Sequence, residues 1–385
     1  KGLPVTWDAK TNIAWKTELP GPGSSSPIVV GKKVFVSSYS GYGLSTKEPG
    51  DIQNLKRHLV CIDRDTGNVI WTKDIPAAQP ESPYKSFQVY HGYASSTPAS
   101  DGTSVFVFFG KSGVFAFDLD GNQLWHADVG TTAFRDGTAA SPVLYKDRLF
   151  VNAGIESGTL YALDKKTGKE VWRASGISET GKETWSTPAL VKVPGGGTEL
   201  VVSGAKKVLG FDPDTGAELW RAEVFTWYVC PTVVAHDGVV YALQSDTCAA
   251  VRAGGRGDVT RSHVLWQTKF GAVVTSPVYH DGHLYWATGS MVACVKASDG
   301  TEVYKERLTP DPKSVYASPV AADGKLYFVS RTEGAFVVEL APEFKQLAHN
   351  SLAPDTSIFN GSPAVSHSQL LLRSDRYLYC IGKAR

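Results

Sequence analysis

Long helix-forming stretches are nearly absent from this 385-residue sequence, which excludes a helical bundle. No apolar run approaches the roughly 18 residues that a membrane-spanning helix needs, so no transmembrane helix is expected. An excess of charge of either sign is also missing. Lys and Arg number 39 against 38 Asp and Glu, a formal net charge of +1. That balance removes the electrostatic drive of a general nucleic-acid binder and argues against an anionic membrane surface as the main partner. Methionine occurs once, at Met291, so Lys1 is not an initiator residue. The chain is either a processed mature protein or a trimmed piece; processing on export would fit, and a periplasmic or otherwise exported location is the expectation. The five cysteines (61, 230, 248, 294, 380) are odd in number and form no CxxC pair. No zinc site or disulfide framework is therefore visible, no His pair has helical metal spacing, and no metal site is expected.

What is plentiful points one way. Hydrophobic residues make up 42%, enough for a sizeable core, and 38 Gly and 21 Pro accompany them. Short strands joined by tight turns fit that mixture. Self-comparison supplies the arrangement. A Ser/Thr-Pro pair, once Cys-Pro, recurs at Pro27, Pro98, Pro142, Pro188, Pro231, Pro277, Pro319 and Pro363. The spacings are 71, 44, 46, 43, 46, 42 and 44, so there are eight repeats and only the first interval is irregular.

The third repeat reads most clearly. Four β-rich segments follow one another: Ser141-Pro142-Val143-Leu144, Arg148-Leu149-Phe150-Val151, Thr159 to Asp164, and Thr167-Gly168-Lys169-Glu170-Val171-Trp172. We label these strands A to D. Four strands in about 44 residues make one propeller blade. Gly at the C–D turn (67, 121, 168, 216, 300) supplies positive φ, and Asp-Gly does so at several A–B turns. A Trp ends strand D at 71, 125, 172, 220 and 266, with Tyr304 and Ala348 in that place in repeats six and seven. These large flat side chains are expected to pack against the neighbouring blade. Repeat eight stops after strand C, and residues 12–19 supply an orphan strand D carrying Trp15. The sequence thus predicts an all-β chain, one domain over residues 1–385. It is a single eight-bladed β-propeller of four-stranded antiparallel blades, with the N-terminal strand completing the last blade.

The strings Leu160-Tyr161-Ala162-Leu163-Asp164-Lys165-Lys166-Thr167-Gly168-Lys169-Glu170-Val171-Trp172 and Gly210-Phe211-Asp212-Pro213-Asp214-Thr215-Gly216-Ala217-Glu218-Leu219-Trp220 resemble the repeat of pyrroloquinoline-quinone (PQQ)-type, quinoprotein-like propellers. The resemblance covers nearly the whole chain and implies two kinds of function. Quinoprotein alcohol dehydrogenases hold PQQ and calcium in the central funnel. The stand-alone BamB-like branch consists of non-catalytic envelope scaffolds. The sequence departs from the first in length and in lacking adjacent cysteines. It departs from the second in that its first cysteine is Cys61, inside strand C of blade one, and not an N-terminal lipidated one. Size and stand-alone architecture sit closer to the BamB-like branch.

Comparing the repeats with one another separates structure from chemistry. Cys61, Cys294 and Cys380 occupy the strand-C slot filled by Ala116, Ala162 and Gly210 elsewhere, so they read as small buried hydrophobes. Cys230 replaces the Ser or Thr before Pro, and Cys248 has no such explanation. His236-Asp237-Gly238 and His280-Asp281-Gly282 fall on A–B turns, where turn chemistry accounts for them. Arg256-Gly257-Asp258 lies in an enlarged C–D region of blade five, and three residues carry almost no information.

The third residue before each proline varies instead: Ser24, Ser95, Ala139, Trp185, Tyr228, Val274, Tyr316 and Asn360. It precedes strand A, at the expected mouth of the channel. With neighbours in the same D–A connections, the candidate ligand-binding set is His91, Tyr93, Arg135, Asp136, Glu183, Trp185, Trp227, Tyr228, Tyr316 and Asn360. Aromatic faces with scattered polar groups suit a sugar-like or planar ligand, Arg135 a carboxylate or phosphate, and Asp136, Glu183 and Asn360 calcium. The same residues would also line a wet funnel or a protein-docking rim. Blade one adds an enlarged B–C connection (about 40–57) and a long D–A connection (about 73–94) that bring Tyr42, Tyr84, Phe87, Tyr90 and His91 to the same mouth.

Three functional readings follow. One is a binding or scaffold propeller of the bacterial envelope, its partner an envelope protein. Another is a compact PQQ- and calcium-dependent alcohol or sugar dehydrogenase, with Asp136 or Glu183 as base or ligand. The third is a propeller that binds or processes carbohydrate. The first is favoured, and catalytic residues are not assigned.

Overall fold

In the computed structural model, which describes residues 2–178 and 183–383, seven of the eight signature prolines stand directly before an innermost strand. Proline has no N–H to give a ladder, so it sits where the ladder begins. The exception is Pro231, three residues ahead of Val234–His236. The fold is an eight-bladed β-propeller with 4% helix, and the N-terminal strand pairs with the last blade. Among the described residues, no helix is long and apolar enough to cross a membrane.

The chain divides into two compact units of four blades each, Lys1–Ala139 with Leu308–Arg385, and Ala140–Arg307. The first holds blades seven, eight, one and two; the second holds blades three to six.

In the first unit, blade eight is built from Ala364–Ser366, Gln369–Arg373, Tyr377–Ile381 and, as its outer strand, Ile13–Glu18. Trp15 faces Cys380 in that pairing. Its indole N–H donates to the Arg64 carbonyl of blade one at 3.0 Å, and Thr17 Oγ1 donates to Gly67 O. Gly67 has φ +77, and a Cβ there would lie 2.8 Å from the Trp15 ring. The turn is therefore glycine for two reasons, backbone conformation and close approach of the ring. The Arg64 side chain is buried and returns the contact, reaching Ser366 Oγ, Ser366 O and Gln369 Oε1 in blade eight. Residues 2–7 run over blade seven. Leu3 and Trp7 join its core, and Asn350 bonds both the Trp7 N–H and the Val5 carbonyl.

The same docking recurs elsewhere. Trp71 donates to Leu119 O in the first unit, and Trp172 to Pro213 O and Trp266 to Ala297 O in the second. In these blades the tryptophan packs against the next blade, as the repeat predicts, and its indole caps that blade's C–D turn. Trp220 differs. It donates to the buried Glu199 of its own blade at 2.7 Å. Blade five has no tight C–D turn to offer; in its place residues 253–263 bring Gly257–Asp258 alongside blade four as a fifth strand.

Every blade carries a register shift just outside the Trp slot, as between Ala162 and Leu163. The bulge turns the residue before the Trp outward, which leaves Ile70, Leu124, Val171 and Leu265 exposed. Cys248 finds its explanation here. It lies in strand C of blade five, fully buried, two residues before Ala250, which faces Trp266. Burial pushes its thiol and that of Cys61 up, the latter to about 12, so both are inert packing groups. Asp237 and Asp281 adopt left-handed φ values of 45° and 43° at their A–B turns, as turn chemistry requires.

Candidate functional site

The two insertions of blade one pack on each other. Strands B (Lys33–Ser40) and C (Lys56–Asp63) both run to eight residues, so the inserted B–C connection is 41–55, and strand D extends to Pro76. Tyr39, Tyr42, Leu55, Tyr93 and Ala94 make a small core, with Tyr84 against it. Tyr42 Oη accepts from the Tyr84 N–H, and Tyr93 Oη donates to Ser82 O. Beneath them Arg57 is buried. It donates to Glu81 at 2.5 Å, to Tyr93 O at 3.0 Å and to Ser112 Oγ at 3.1 Å. Gly92 ends the helical turn Gln88–His91 with φ +71, and a Cβ there would enter the Tyr39 ring.

This loop reaches blades seven and eight. The Tyr90 carbonyl accepts from Asn360 Nδ2 at 2.6 Å and from Arg331 Nη2 at 3.1 Å. Arg331 Nε donates in turn to Asn360 Oδ1, and its guanidinium lies over Tyr90 and Tyr316, whose rings meet edge to face. Asp136 accepts from Ser86 Oγ at 2.9 Å and from the Phe87 N–H, and Arg135, largely exposed, lies 3.5 Å from its carboxylate. His91 bridges Asp136 O through Nε2 and Ser95 Oγ through Nδ1. The carbonyl can only accept, so Nε2 carries the proton and Nδ1 accepts from the serine. Burial holds the ring pKa below its ordinary value, which suits this neutral form.

Of the predicted residues, the first unit therefore brings together His91, Asp136, Tyr316 and Asn360 around residues 86–91, with Arg135 at the edge and Tyr93 buried beneath. In the second unit, the short parallel bridge of Thr184 with Val229 sets Trp185 edge to face with Tyr228, centroids 5.9 Å apart. Glu183 stands beside this bridge, half-buried. Trp227 is 66% exposed, and Tyr228 41%. Gln244 fixes the backbone under them through Thr226 N and Tyr228 O.

Residues absent from the predicted set complete the first unit. Arg373 is buried in blade eight, bonded to Ser25 Oγ and Ser37 O of blade one. Internal comparison carried a signal for it. Arg373 fills the strand-B position held by Ser37, Phe108, Asn152, Ser203, Leu243, Ala287 and Val329 in the other blades. It is the one charged residue among the eight. Burial lowers its pKa to about 10 and raises that of nearby Asp375 to about 6, the latter held back by the charge of Arg373.

A carboxyl raised above its unfolded value of 3.8 favours the protonated folded form. Its contribution to stability is complete below pH 3.8 and is lost as pH rises through about 6. Asp375→Asn is therefore expected to gain on the parent between pH 4 and pH 7, by on the order of 2 kcal/mol. Chemical denaturation of both proteins across that range checks it; parallel pH profiles would sink the assignment.

Among the described residues, no group of three or more His, Cys, Asp or Glu side chains is arranged to hold a metal ion. The carboxylate of Asp136 is already taken up by Ser86, Phe87 and Arg135. The donor set of a calcium site does not fit here.

The family profile described as "Outer membrane protein assembly factor BamB" matches residues 52–180, 156–259 and 249–375. The outer membrane protein assembly factor BamB of Burkholderia pseudomallei (strain K96243) is 25% identical over 352 residues, covering 85% of this chain and 79% of that protein. A polyvinylalcohol dehydrogenase of Pseudomonas sp is 24% identical over 365 residues, 79% of this chain but only 52% of the enzyme. The crystal structure of BamB from Moraxella catarrhalis superposes with a TM-score of 0.67 at 12% identity, covering 96% of each chain, a likeness of fold.

Proposed function

Because the chain belongs to the family of the outer membrane protein assembly factor BamB, we propose that it is a non-catalytic binding platform of the bacterial envelope. It docks a protein of the outer-membrane assembly apparatus through the loops that precede its innermost strands. The observation that carries this reading is the exposure of Trp227 beside the Trp185–Tyr228 pair. Large aromatic side chains held on short, anchored loops are the residue type that dominates interface energies. The polar candidates of the first unit support the same reading. Asn360, Asp136 and His91 spend their hydrogen bonds on the chain's own loop, which makes a finished surface of that region.

Trp227→Ala is expected to weaken partner binding about 30-fold or more, the effect of a 2 kcal/mol hot spot. A photo-crosslinking residue at position 227, in envelopes of a strain that makes the protein, identifies the partner, and titration of that purified partner measures the loss. Unchanged affinity in Trp227→Ala would remove the second unit's aromatic loops from the interface.

The similarity to a polyvinylalcohol dehydrogenase favours one second reading, a compact PQQ-dependent oxidoreductase. Titration with PQQ and Ca²⁺, following quinone absorbance and dye reduction, decides it. No binding in the micromolar range eliminates it.

A further inference from the structure

The outer strand of a blade is an open sheet edge, and blade four shows how this chain occupies one. Gly257–Asp258 runs parallel to its outer strand Glu218–Glu223, pairing Trp220 with Gly257 and Arg221 with Asp258. The Val259 N–H donates to Arg221 O at 2.9 Å, and the Glu223 N–H to Thr260 Oγ1 at 2.9 Å. Val259 is 1% exposed, in the cluster against which the bulge residue Leu219 packs. Asp258 is held well below the usual carboxylate range by bonds from Thr260, with the charges of Arg221 and Arg261 adding. An otherwise uninformative Arg-Gly-Asp stretch thus has a structural use.

Among the described residues, blade three presents the same edge without an occupant. Glu170-Val171-Trp172-Arg173-Ala174 differs from Glu218-Leu219-Trp220-Arg221-Ala222 only in Val for Leu. The Glu170–Arg173 and Glu218–Arg221 ion pairs both close at 2.7 Å, and the bulge falls at the same place. Among the described residues, nothing pairs with the outer side of Glu170–Ser175, and Val171 stays 41% exposed where Leu219 is covered. Among the outer strands, only those of blades three and four carry arginine in this position, and Arg173, paired with Glu170, also lies over Tyr161. The others carry Lys16, Thr72, His126, Gln267, Lys305 or His349.

We propose that strand Glu170–Ser175 docks an extended segment of a partner protein. The segment carries a small residue, an acid and a β-branched aliphatic in that order and runs parallel to the strand, as Gly257–Val259 does on blade four. Backbone bonds give attachment, Arg173 reads the acid, and the aliphatic residue lies level with Ala174, as Val259 does with Ala222 on blade four. This surface is separate from the aromatic loops of the proposed platform, and its test stands whether or not those loops bind.

The probe is a fluorescein-labelled synthetic peptide with the sequence of residues 253–263, titrated by anisotropy into the full chain. Saturable binding with Kd on the order of 100 µM is expected, weakened at least tenfold by Arg173→Glu or Arg173→Ala. A peptide with Lys in place of Asp258 should bind poorly to the parent and regain affinity for Arg173→Glu. The variants change exposed side chains, and circular dichroism verifies their fold. The proposal is overturned by absence of saturation up to about 1 mM, by binding indifferent to Arg173→Glu, or by a cross-linked peptide that maps to blade four in exchange for the chain's own segment. Self-association of the protein that Arg173→Glu abolishes would assign the edge to a second copy and overturn it too.

Discussion

Trp15→Ala is expected to lower the unfolding free energy by about 3–5 kcal/mol, the range for removing a buried tryptophan. Three losses coincide at this position. The ring leaves the core formed with Leu371, Leu378 and Cys380 of blade eight and Val34, Val60 and Ile62 of blade one. The Arg64 carbonyl loses its indole donor, and Gly67 loses the surface it turns against. The comparison that isolates the effect is Trp227→Ala, an exposed tryptophan whose loss should change stability by no more than about 0.5 kcal/mol. Urea denaturation followed by far-ultraviolet circular dichroism measures both. If the two variants prove equally stable, the pairing of the first strand with the last contributes nothing to holding the fold closed.

Arg57→Ala should cost a comparable amount, about 3–5 kcal/mol, for a different reason. Its guanidinium and the Glu81 carboxylate are 5% and 8% exposed, so truncation leaves a buried carboxylate without its partner. It also frees the Tyr93 carbonyl and Ser112 Oγ, which position residues 77–94. Amide hydrogen exchange across 78–94 should therefore accelerate before global unfolding does. Removing both charges, in Arg57→Met with Glu81→Met, should recover most of the stability, because the penalty lies in the orphaned charge. A double variant as weak as the single would show that the hydrogen bonds of Arg57, and not its ion pair, hold the loop.

The repeat made the fold readable because each blade restates the same constraints. A small residue in strand C leaves room for the outer Trp, proline precedes strand A, and glycine turns before strand D. Closure was readable from what repeat eight lacked. The bulge was not, because it changes no residue type. It changes only which neighbour of the Trp faces water, and Ile70 and Val171 look like core residues in the sequence. The candidate residues were legible as a class, since positions that vary among otherwise similar blades stand out. Their partners were not. The grip of Asn360 and Arg331 on the Tyr90 carbonyl joins segments more than two hundred residues apart, and a backbone acceptor leaves no trace in the sequence. Trp220 packs against blade five as expected, but the partner of its indole was not legible, for a related reason. Its position obeys the repeat, but the turn it would cap belongs to the next blade, which replaced that turn with a fifth strand.

The outer strand of blade eight is synthesised more than three hundred residues before the strand it pairs with. A chain emerging from a ribosome or a translocation pore must keep Ile13–Glu18 unpaired until Tyr377–Ile381 arrives. Closure of this blade is then gated by the emergence of residues 377–381, and so distant a contact is slow to form. Until it forms, a β-prone segment stays open to pairing with other chains.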